Sequence, residues 1–160
     1  MTRFTELTSG WTQYANANQV HRIHYAQPQG CVTELQVIGV AESVNEDRYS
    51  LTTRIQPSSI KIIADSVVQR SLDAPYKINA ENWCHGFKPP TGFTEVGRVC
   101  FAAHAADDST HTFSGGYNMS LASNITIEVV FPSACRFKIV AVQLQRIRMD
   151  AQGHLTSYLE

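Results

Sequence analysis

The sequence predicts an all-β fold, a two-sheet antiparallel sandwich of jelly-roll type with at most one or two short helices. Three observations carry this reading. Apolar and polar residues alternate with a period of two over several short runs. Turn chemistry separates those runs, at Asn45-Glu46-Asp47, Pro57-Ser58-Ser59, Pro75, Pro89-Pro90-Thr91-Gly92, Asp107-Asp108 and Gly115-Gly116. Helical spacing is confined to two weak stretches.

Taken in chain order, the first of these stretches is 11–20, where Trp11, Tyr14 and an Ala-Asn-Ala-Asn run form one helical turn at most. Residues 31–40 are rich in β-branched side chains, with Leu35 and Val37 on one face. Leu51, Thr53 and Ile55 alternate, and the run Ile60-Lys61-Ile62-Ile63 resumes an extended chain after the Pro57 turn. Val67, Val68 and Leu72 lie at helical spacing, which predicts two turns of helix over 65–72. Val99, Phe101 and Ala103 alternate with Cys100, Ala102 and His104.

The clearest pattern comes last. Ile125, Ile127, Val129 and Phe131 alternate with Thr126, Glu128 and Val130, and Pro132-Ser133-Ala134 ends the run. In 136–149, Val140, Val142 and Leu144 face one way and Phe137, Ile139 and Ala141 the other. A strand apolar on both faces belongs in the interior. The two runs are expected to pair as a long antiparallel hairpin. With no repeat or linker in its 160 residues, the chain reads as a single β-sandwich domain, 1–160.

Composition narrows the function. Apolar residues make up 43% of the chain and charged ones 17%, with a net charge of −1, which excludes a disordered polyelectrolyte. No apolar run is long enough for a bilayer-spanning helix. The opening residues, Met1 to Glu6, carry one Arg, with neither a basic arm nor the apolar core of a secretory leader. The expected location is therefore the cytoplasm at synthesis, or a virion. The sequons at Asn118 and Asn124 then read as chance matches. The four cysteines, Cys31, Cys84, Cys100 and Cys135, are widely spaced and are expected as partly buried free thiols.

Catalytic signatures are absent: there is no G-x-S-x-G, P-loop, G-x-G-x-x-G or H-E-x-x-H. Cys100 and His104 resemble a metal pair. On a strand rising about 3.3 Å per residue they stand about 13 Å apart, too far for one zinc ion. His21 and His24 point to opposite faces. No metal and no cofactor are expected.

Two groups remain as binding candidates. The first is the loop 82–93, which gathers Trp83, His85, Phe87 and Phe93 beside Cys84 in a Pro- and Gly-rich setting. It could hold an aromatic platform, a weak Cys84/His85 nucleophile site, or merely the end of the sandwich core. The second is Arg136, Lys138, Arg146 and Arg148, which share one face of the last long strand by parity. They suit an acidic partner or, weakly, nucleic acid through phosphate contacts, unless they are only solvated.

The function expected is a non-enzymatic subunit that assembles with copies of itself, such as a small viral or phage coat protein. Low charge and abundant amides and hydroxyls suit contact with neighbours. The alternative is a lectin-like carbohydrate-binding module, with Asn82, Trp83, Asp107, Asp108 and Asn118 around a glycan.

Overall fold

A computed structural model describes residues 2–8, 11–26, 30–41, 54–84, 96–104, 113–152 and 155–159. Its strands build two antiparallel sheets. The larger holds β1 (Thr2–Glu6), β2 (Gln13–Ala15), β4 (Cys31–Ala41), β5 (Arg54–Ile55), β8 (Gly97–Cys100), β11 (Tyr117–Asn118), β13 (Cys135–Met149) and β14 (Leu155–Leu159). The smaller runs in the order β3 (Val20–Ala26), β12 (Asn124–Val130), β6 (Ser59–Ala64), β7 (Val67–Leu72). A ribbon of β9 (Ala102–His104) and β10 (Phe113–Gly115) stands apart. The chain passes repeatedly from one sheet to the other, as a jelly-roll sandwich requires.

The period of two sets the core. Ile125, Ile127 and Val129 of β12 and Ile60 and Ile62 of β6 are buried from one side. Leu35 and Val37 of β4, with Phe137, Ile139 and Ala141 of β13, meet them from the other. Each large apolar side chain so buried contributes about 1.5–3 kcal/mol. On the opposite face of β13, Val140 and Val142 are also buried, as the doubly apolar pattern implied.

The expected hairpin of 125–149 does not form. β12 pairs with β3 and β6, whereas β13 pairs with β1, β2, β4 and β14, so the two runs lie in opposite sheets. Residues 131–134 form an arch between them. Phe131 and Phe137 are both buried with ring centroids 5.4 Å apart. Periodicity reveals which face of a strand is buried but not which strands pair.

The expected helix over 65–72 is a turn and a strand. Asp65 and Ser66 adopt φ of 46° and 70°, two successive left-handed residues that close a two-residue hairpin between β6 and β7. The Asp65 carboxylate fixes this turn by accepting from the backbone N–H groups of Ser123 and Asn124. Residues 11–20 are also extended rather than helical, holding β2 and the start of β3, with Asn18 at φ 56° in the turn between them.

The helix of the described residues is α1 (Pro75–Cys84). Pro75, read as a turn, opens it, where a missing N–H costs nothing. Ile78 is fully buried in the core. Glu81 accepts from Arg70 of β7 at 2.6 Å and from the Cys100 N–H of β8 at 3.1 Å, while Arg70 also donates to the Cys100 carbonyl at 3.0 Å. One carboxylate thus ties the helix to an edge of each sheet.

Candidate functional site

Of the first candidate group, Trp83, Asn82 and Cys84 lie at the end of α1, not in a loop. Residues 85–93, with His85, Phe87 and Phe93, are outside the described residues, as are Asp107 and Asp108. Asn118 is committed locally, since its side chain accepts from the Ser120 N–H and caps a short 3-10 turn over Met119–Leu121.

The thiols of Cys100 and Cys135 are poor nucleophiles. Cys100 is buried and its pKa is pushed up to about 12, chiefly by burial and then by the nearby Glu34 and Glu81 charges. Burial likewise raises Cys135 to about 11. The thiolate is the reactive form, so neither attacks at neutral pH. Cys100 and His104 sit on the separate strands β8 and β9, which belong to different sheets, so they do not share the one straight strand that the spacing of about 13 Å assumed. Among the described residues no three His, Cys, Asp or Glu side chains gather to hold an ion.

The second group lies on β13. Arg136 and Lys138 share its outer face, because they pair with Val40 and Ile38 of β4 while Phe137 between them turns into the core. Arg136 is exposed. Lys138 is held by Glu6 at 3.0 Å and lies 4.9 Å from the centre of the Trp11 ring. Arg146 and Arg148 continue the strand, paired with Tyr158 and Thr156 of β14, and their side chains are outside the described set.

The two outer faces differ. On the smaller sheet the charges are satisfied in place, since Glu128 of β12 accepts from Arg22 of β3 at 2.7 Å and meets Lys61 of β6 at 3.3 Å. The Arg22 hydrogen bond is the main reason the Glu128 carboxyl titrates below its ordinary value. His24 beside it meets the Thr126 hydroxyl at 3.0 Å, while His21 turns toward Phe137, on opposite faces as expected.

Several large apolar side chains face solvent. Val67 (60% exposed) and Val68 (52%) lie on β7, the edge strand of the smaller sheet, and Leu121 (84%) projects from the 3-10 turn. The sequence did not single these out. Val67 and Val68 were assigned to a helix, and an exposed edge is a property of sheet order, not of local pattern.

No protein-family model matches the chain, and no curated protein sequence matches it. Solved structures do. The quasi-atomic model of the PBCV-1 virus capsid is 13% identical with a TM-score of 0.59, over 100% of this chain and 50% of that one. PBCV-1 VP54, fitted into a reconstruction of the virophage Sputnik, is 13% identical with a TM-score of 0.62, over 99% and 50%. The major capsid protein P2 of bacteriophage PM2 is 14% identical with a TM-score of 0.56, over 92% and 55%. The chain therefore spans about half the length of these proteins and shares their fold.

Proposed function

We propose that this chain is a structural coat subunit, which assembles with copies of itself into a viral or phage shell and has no enzymatic role. The observation that carries the reading is the fold match, which covers 92% or more of the chain in three capsid structures from PBCV-1 and PM2. The surface supports it. Val67, Val68 and Leu121 expose apolar area on an edge strand and a turn, where a neighbouring copy can cover it. The buried thiols and the satisfied carboxylates offer no nucleophile or poised acid. In this reading residues 1–160 act as one β-sandwich unit, located in the virion. Among the described residues no helix is long and apolar enough to cross a membrane.

The lectin-like alternative loses a candidate, because the Asn118 amide already serves its own turn. Size-exclusion chromatography with light scattering tests the coat reading. Growth in mass from micromolar to near-millimolar protein is expected. A strictly monomeric 17.8 kDa species throughout contradicts it.

A further inference from the structure

The smaller sheet, in the order β3-β12-β6-β7, has β3 and β7 as its two edges. Among the described residues no backbone hydrogen bond reaches either strand from beyond the sheet. The pairing pattern shows which groups this leaves free. The carbonyls of Asn124 and Val130 accept from the N–H groups of Asp65 and Ser58, on the β6 side of β12. Antiparallel pairs alternate between bonded and unbonded, so the even-numbered residues of β12 bond toward β6 and the odd-numbered ones toward β3. Arg22 and His24, which pair with Glu128 and Thr126, therefore turn their own N–H and C=O groups outward. On the other side, Lys61 and Ile63 bond toward β12, which leaves their β7 partners, Ser71 and Val68, facing outward too. The side chains of all four residues are on the outer face of the sheet and exposed, and Ile60, Ile62, Ile125 and Ile127 fill the opposite face.

We infer that β7 of one copy pairs antiparallel with β3 of the next, so that the four-stranded sheet continues from copy to copy. The inference rests on the coat reading and names a contact for it. An even number of antiparallel strands leaves the two edges running in opposite directions, so a second copy joins without inversion. Residues with outward groups lie on the same face at both edges, and paired residues must share a face. Charge agrees with this pairing. β3 carries Arg22 and His24 and no carboxylate. Asp65, exposed at the start of β7, accepts only from the backbone of Ser123 and Asn124, and in this pairing it comes to the His24 end of β3. Pairing each edge with itself fits less well. Two copies of β3 bring Arg22 opposite His24 or opposite its own copy, and like charges there are unfavourable. Two copies of β7 meet bulge against bulge, or run into the left-handed turn at Ser66. A head-to-tail contact builds a ring where the rotation closes and a filament where it does not.

Sedimentation velocity of the whole chain and two edge variants tests the contact. Val68→Pro and His24→Pro each remove an outward N–H, at positions where an edge strand tolerates proline. Each is expected to raise the concentration needed for assembly about tenfold or more. An equal mixture of the two supplies one intact β3 and one intact β7, and is expected to give a dimer and nothing larger. Circular dichroism checks the fold. If a proline variant unfolds, Val68→Lys or His24→Lys replaces it, since a lysine also blocks an edge. A variant that dimerises alone, variants that assemble as the parent chain does, or a mixture that stays monomeric while the parent assembles each overturns the inference and leaves the coat reading standing. A parent chain that is monomeric at every concentration removes both.

Discussion

The arch at Phe131 makes a quantitative prediction about how the two sheets meet. Phe131 is fully buried against Phe137, so Phe131→Ala opens a cavity and costs about 3–5 kcal/mol. In a domain of this size that lowers the melting temperature by about 6–20 °C. Gly39 of β4 lies under the same ring. A Cβ there would come within 2.6 Å of Phe131 Cε1 and 2.7 Å of the Ile55 carbonyl. Gly39→Ala alone should therefore overpack the core by about 1–3 kcal/mol. In the Phe131→Ala background the new methyl enters the space left by the ring. Its cost should fall by about 1 kcal/mol, while the Ile55 carbonyl keeps it above zero. Guanidinium denaturation of the four proteins, followed by far-ultraviolet circular dichroism, measures the cycle. Additivity within about 0.5 kcal/mol refutes the contact between the arch and β4.

Three further outcomes follow from the contacts described. Glu81→Ala, which cuts the helix from both sheets, is expected to destabilise by about 2–3 kcal/mol in the same denaturation assay, and Glu81→Gln by less because it keeps an acceptor for the Cys100 N–H. The Glu128 carboxyl is held below its ordinary value of 4.5 by Arg22, so its contribution is fully present above that value and is lost as pH falls through the lower, folded one. Glu128→Gln should flatten the acid limb of a stability–pH curve, and an unchanged limb contradicts the pairing. Cys100 and Cys135 have raised pKa values, so a thiol reagent at about pH 8 should modify them only in denaturant, and their ionisation on unfolding should erode stability above about pH 9. Rapid native labelling of either, read by mass spectrometry, contradicts their burial.

The layered β fold was legible because alternation survives wherever one face is buried, as in Ile125, Ile127 and Val129 against Thr126 and Glu128. Partners were not legible. Nothing local says that β12 and β13 belong to different sheets, since a Pro-Ser-Ala break serves a hairpin and an arch equally. Val67 and Val68 mimicked a helix because two exposed valines on a bulged edge strand break the alternation, the bulge leaving Gln69 unpaired opposite Ile62 and Ile63. The real helix escaped notice because its polar run, Lys77 to Asn82, presents little beyond Ile78 to a core. Of the binding candidates, the shared face of Arg136 and Lys138 followed from parity alone. Which residues stand beside them required the cross-strand register, since β2 and β4 are far from β13 in the chain.

Electron microscopy of the concentrated, purified chain tests the coat reading most directly. Repeating arrays, rings or closed shells built from sandwich-sized units are the expected result. A field of dispersed single domains, unchanged at every concentration and salt condition tried, would contradict it.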